Sequence, residues 1–184
     1  MALTEADFMA ALHGYIVEVT GMDGNRVFQG NQSRMVLPKS GEYCIYTPII
    51  RQRRGTNVYT FDAAGKPDNV NGDDNMTALV LIDVQVDFYS TGAMKNAQAL
   101  EIASRSYIGT DYFKNREKPV DVRVCTSQAP RNLTGIDQSN QYEERWSVTI
   151  TVEVNPSYAK TLPWFEDVTF KAIKNVDVFF PPTE

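Results

Sequence analysis

Residues Leu79 to Phe88 read "LVLIDVQVDF". Val80, Ile82, Val84, Val86 and Phe88 fall on one side of this stretch, and Asp83, Gln85 and Asp87 on the other. A period of two with one polar side is the mark of a strand buried on one face. Two other stretches repeat it. In "RWSVTITVEV" (Arg145 to Val154), Trp146, Val148, Ile150, Val152 and Val154 oppose Arg145, Ser147, Thr149, Thr151 and Glu153. In "PVDVRVCT" (Pro119 to Thr126), Val120, Val122 and Val124 oppose Asp121 and Arg123. Such strands belong to an antiparallel sheet covered on one side, which leaves a polar face carrying Asp83, Asp87, Arg123 and Arg145. Further strands are predicted in "EYCIYTPII", "NVYTF" and the C-terminal "DVTFKAIKNVDVFF".

The cover must come from helices. "TEADFMAALHGYIVEVTG" places Phe8, Leu12, Tyr15, Ile16 and Val19 on one stripe at helical spacing. Thr4 is positioned to cap its first turn, Asp7 suits the positive end of the dipole, and Gly21 can end the helix in the left-handed conformation. Gly14 inside it costs about 1 kcal/mol against alanine. His13 lies off the apolar stripe and is expected to face solvent. A second helix is predicted from about Thr91 to Ile108, stopped by Gly109, with Ala93, Ala97, Leu100, Ser104 and Tyr107 facing inward. Their mostly small size would let the helix lie close to the sheet. The order helix, strands, helix, strands gives an α+β class, an antiparallel or mixed sheet with two helices on one face. The 184 residues, 42% of them hydrophobic, suffice for a single domain spanning 1–184.

Composition narrows the function. The first residues show no basic stretch followed by an apolar run, and no segment approaches the roughly 18 to 20 apolar residues of a spanning helix, so a soluble protein made in a reducing cytoplasm is expected. A net charge of −5 argues against a surface that binds duplex DNA throughout. Cys44 and Cys125 form no C-x-x-C pair and are expected to be small buried hydrophobes. No glycine-rich phosphate cradle occurs. The single histidine has no obvious partners for a nucleophilic triad. "PDNVNGDDNMTA" (Pro67 to Ala78) fails as a calcium loop, because Pro67 and Ala78 stand where the first and twelfth ligands should be. Glu143 and Glu144 are adjacent in a strand-like segment and point to opposite faces. Asp83 and Asp87 share a face but lie about 13 Å apart, too far for a glycosidase pair. No catalytic, metal-binding or cofactor-binding residue is assigned, and an enzyme becomes the weaker hypothesis.

One stretch runs against the overall charge: "YTPIIRQRRGT" (Tyr46 to Thr56), with Arg51, Arg53 and Arg54 close together. Acidic residues follow at Asp62, Asp68, Asp73 and Asp74, in a segment too long for an ordinary hairpin connection. Residues from about 51 to 78 are therefore expected to form an extended hairpin loop, and those from about 175 to 184, with Phe179 and Phe180, a C-terminal tail. Arg51, Arg53, Arg54, Asp62, Asp68, Asp73, Asp74, Phe179 and Phe180 are the candidate interface residues. Arginine suits contact with an acidic protein surface, since its fork binds carboxylates bidentately. Contact with DNA and a merely solvated turn are the alternatives.

Taken in order, "VFQGNQ", Leu37 with Pro38, "YCIYTPIIRQRRGT", "VQVDFYSTGAMKNAQ", "SRSYIGTDYF" and "YEERWSVTITVEVNP" resemble the tailed-phage neck or tail terminator family, from about residue 8 to 170. Asp87 and Phe88 leading into an alanine-rich helix, with Arg145 and Trp146 opening a strand, is the most specific part. The resemblance implies a structural protein of the virion neck, assembled in the host cytoplasm. It implies a homo-oligomeric ring, commonly a hexamer, that caps the head-proximal end of the tail tube, ends its polymerisation and joins it to the head. The implied partners are further copies of the chain, the tail tube protein, head-completion or connector proteins and, in a contractile tail, the sheath. DNA would pass through the lumen without sequence-specific binding. It implies neither catalysis nor a cofactor. A head-tail adaptor or head-completion protein, a nucleic-acid binding module and a small hydrolase are the rival functions.

Overall fold

The computed structural model describes residues 4–32, 36–38, 40–62, 71–116, 121–136 and 142–163. In chain order they form α1 (Glu5–Thr20), β1 (Val27–Gln29), β2 (Tyr43–Asp62), β3 (Asn71–Tyr89), α2 (Ala93–Ser104), α3 (Tyr107–Lys114), β4 (Val122–Ser127), β5 (Arg131–Asn132), β6 (Gly135–Ile136), β7 (Tyr142–Glu143), β8 (Arg145–Val154) and β9 (Ser157–Pro163). The class is α+β. Seven strands make the main sheet in the order β1-β2-β3-β8-β4, with β5 on β8 and β9 on β3; β6 and β7 pair separately. β1 runs parallel to β2, whereas β3, β4 and β5 are antiparallel to β8.

The predicted faces decide the packing. Val84, Val86, Phe88, Ile150 and Val152 are fully buried, and Val148 and Val122 nearly so. They join Leu12, Tyr15 and Ile16 of α1, Ala97 and Leu100 of α2 and Phe113 of α3 in one apolar cluster. The β3–β8 register carries this through ten consecutive pairs from Val80↔Val154 to Tyr89↔Arg145. Shifting it by one residue would turn every valine to water. Tyr15 reaches across the helix layer to share a 3.1 Å hydrogen bond with Ser104 of α2. This satisfies two hydroxyls in a site where an unpaired one would cost about 1–3 kcal/mol.

α1 ends as its sequence foretells. Thr4 Oγ1 accepts the Asp7 N–H at 3.1 Å, and Gly21 closes the helix at φ 69° with its N–H donating to the Val17 carbonyl. Gly14 has a packing reason: the Tyr112 hydroxyl of α3 occupies the space a Cβ would need. His13 departs from expectation, since it is half-buried. Its Nε2 lies 3.0 Å from the Gly24 carbonyl and its ring stands edge-on to Tyr46.

Three further expectations need correction. The single second helix is two helices, broken at Arg105; Ser106 Oγ accepts the Ile108 N–H to start α3, so Gly109 sits inside a helix and Tyr107 is exposed. In the segment read as an extended hairpin loop, residues 51–62 and 71–78 are strand, and β2 runs unbroken through the three arginines. Cys44 is buried, but Cys125 is exposed, displaced where the β4–β8 register slips between Val124 and Thr126.

Two compact units share the chain, Met1–Tyr59 with Met76–Tyr158, and Thr60–Asn75 with Ala159–Glu184. Within the second, the Thr161 hydroxyl donates to Asp73 Oδ1 at 2.8 Å and the Phe61 ring lies against Gly72. Among the described residues no helix is long and apolar enough to cross a membrane.

Candidate interaction surface

The sheet face turned away from the helices is built from the polar alternates of β3 and β8. Its most buried charge is Asp87, 6% exposed. Arg145, diagonally across the strand pair, donates from Nη2 to Asp87 Oδ2 at 2.9 Å. Gln85 Nε2 donates to both Asp87 oxygens, at 3.1 and 2.9 Å. Burial opposes the charge on Arg145, but the hydrogen bond and charge of Asp87 outweigh it and raise the guanidinium pKa. Its Nε is buried and finds no acceptor among the described residues.

Aromatic rings wall this pair. The Arg145 guanidinium lies 5.5 Å from the Tyr89 ring centroid, and Tyr89 stacks on Tyr43 at 4.5 Å, with the planes 5° apart. The Tyr43 hydroxyl donates to Glu143 Oε1 at 2.8 Å. Burial first, then that hydrogen bond and the Glu143 charge, push the Tyr43 pKa well up. Leu37, Leu133 and Gly135 complete the rim of a hollow of about 350 Å³ over the cluster. Further along the face, the Thr151 hydroxyl donates to Asp83 Oδ1 at 2.6 Å. A shallow groove of about 530 Å³ runs there, between Gln52 and Arg54 on one side and Cys125 and Glu153 on the other.

The arginines do not act as one cluster. Successive strand residues point to opposite faces. Arg54 lines the groove on the open face, while Arg51 lines a cleft of about 220 Å³ on the helix side with Phe8, Met9, Ile49 and Ile50. Arg53 is exposed and hydrogen-bonds the Asn57 side chain. Asp62 ends β2 and is exposed; Asp73 and Asp74 lie half-buried near the start of β3. Asp68, Phe179 and Phe180 lie outside the described residues. The aromatic stack and the Glu143 partner went unforeseen; "EYC" and "YEER" hold the residues, but pairing positions 100 apart needs the fold.

Among the described residues no group of three or more His, Cys, Asp and Glu side chains is arranged to hold a metal ion. The family model described as phage neck terminator protein matches residues 6–178. The chain belongs to the phage neck terminator family. It is thus a structural component of the virion neck, working among other head and tail proteins. No curated protein matches the chain.

Proposed function

We propose that this neck terminator subunit closes into a homo-oligomeric ring, six copies in the simplest case, that caps the tail tube at its head-proximal end. The ring halts tube polymerisation and joins it to head-completion or connector proteins, and in a contractile tail it also meets the sheath. DNA passes through its lumen without sequence-specific contact. The observation that carries the proposal is the surface of β2. Ile49, Ile50, Val58 and Tyr59 are 49, 45, 64 and 62% exposed and flank Arg51, Arg53 and Arg54 on either side. So much exposed apolar surface on either side of a run of arginines marks a protein-contact surface. The two contact surfaces of a head-to-tail ring differ and must be complementary. The arginines orient the contact with an acidic neighbour, subunit or tube, each exposed pair adding only about 0 to 1 kcal/mol, while apolar burial supplies affinity. The acidic positions Asp62, Asp68, Asp73 and Asp74, with Phe179 and Phe180, belong to the same contacts.

Mass measurement of the purified protein, alone and with tube protein, tests this. A discrete ring or tube-dependent assembly is expected. A monomer that ignores the tube and shifts DNA in a salt-dependent way would instead identify a nucleic-acid binding module.

A further inference from the structure

Glu143 ends β7 as a carboxylate without a cation. Among the described residues its partner is the Tyr43 hydroxyl, a neutral donor, while the ion pairs formed are Arg145 with Asp87 and Arg105 with Glu101. Arg145 lines the same hollow, but Asp87 already neutralises it. The uncompensated charge in this recess of about 350 Å³ is therefore negative, and its rim is apolar, with Leu37 and Leu133 exposed by 38 and 45%. Apolar side chains around one uncompensated carboxylate make a socket for a long cationic side chain: the methylenes lie on the rim and the head meets the charge.

We propose that the socket receives Arg53 of a neighbouring copy of the chain. The inference rests on the ring reading and names the side chains that join one subunit to the next. Arg53 is exposed, and among the described residues its partner is the neutral Asn57 side chain, so its charge too is uncompensated. Ile49, Ile50, Val58 and Tyr59 flank it with exposed apolar surface that can cover Leu37 and Leu133, excluding water from the pair. A subunit cannot fill its own socket from β2. Tyr43, at the socket, and Arg53 are ten residues apart in one unbroken strand, a span of about 33 Å. Both surfaces belong to the compact unit of Met1–Tyr59 with Met76–Tyr158. They are unlike and complementary and every copy carries both, as a head-to-tail ring requires.

Charge exchange in the full-length protein, assembled on tube protein, tests this. Arg53→Glu and Glu143→Arg are each expected to lower ring yield at least about fivefold, because like charges then meet, and both changes in one chain to restore it to within about twofold. Glu143→Gln keeps an acceptor for the Tyr43 hydroxyl, so it is expected to lower ring yield at an unchanged urea midpoint, which a folding defect would not do. Two differently tagged copies, one with Asn57→Cys and the other with Leu133→Cys, both carry Cys125→Ser so that buried Cys44 is the remaining native thiol. With a short bis-maleimide they are expected to give covalent dimers bearing both tags. Rings that form normally with Arg53→Glu or Glu143→Gln, a folded double variant that fails to restore them, or rings of normal yield without mixed-tag dimers overturn this inference and leave the ring intact. Failure of the unsubstituted protein to assemble at all overturns the ring, and this inference with it.

Discussion

Arg145 and Asp87 illustrate how a charge pair is valued by what its loss leaves behind. Asp87 is buried and held by Gln85 as well as Arg145, so Arg145→Met strands a carboxylate under an aromatic wall. We expect a loss of about 2–4 kcal/mol, read from urea denaturation. Asp87→Asn with Arg145→Met should cost less than the sum of the single changes, because the stranded charge is gone. Equal, additive losses would show the pair to be uncoupled. Tyr46 makes a pH prediction. It is 3% exposed, and burial, helped by Cys44, pushes its pKa up to about 12. Below pH 10 the phenol is protonated in both folded and unfolded chains, and the contribution is fully present. Between pH 10 and 12 only the unfolded chain releases the proton, so stability falls as pH rises, by about 1.4 kcal/mol per pH unit from this group. Urea midpoints at pH 9 and 11.5 should show the fall, and Tyr46→Phe should flatten part of it.

At the level of elements, Ser106 decides whether one helix or two follow β3. Its hydroxyl accepts the Ile108 N–H, so Ser106→Ala should cost about 1 kcal/mol in thermal or urea unfolding without affecting ring assembly. That break was missed because apolar residues continue through Tyr107 and Ile108 and Gly109 looks like a stop; the serine at the junction was the available signal. β3, β4 and β8 were legible because one face meets the core and the other water, which writes burial into alternate positions. β2 was only half legible. Tyr43, Cys44 and Tyr46 are buried, but nearly everything from Ile49 onward is exposed on both faces, and a strand without a buried side leaves no alternation. β1 and β9 were missed for a related reason, being short and defined by the edges they join. The Asp87–Arg145 contact was legible as two opposite charges on one face, but its depth was not, because the aromatic wall is completed by Tyr43, which stacks on Tyr89 from far off in the chain.

For the whole molecule, the contact surface predicts a salt signature. Exposed charges more than about 8 Å apart are screened at physiological ionic strength. Association with tube protein should therefore weaken between low and high salt, and Arg51→Gln with Arg53→Gln and Arg54→Gln should weaken it at low salt and flatten the dependence. Because these side chains are exposed, stability should stay within about 0.5 kcal/mol of the unsubstituted protein. Unchanged tail joining by this variant would show the arginines to serve solubility alone. The β3–β8 pairing also has a consequence in time. Tyr89 and Arg145 are neighbours in the sheet, yet 55 residues separate them along the chain. At roughly 5–20 residues per second, a ribosome leaves Val84, Val86 and Phe88 without their partners for about 3–13 s. A nascent chain stalled at Tyr142 should be cut readily within β3 by protease, and one extended well past Val154 should resist: the subunit becomes safe from aggregation only once β8 has emerged.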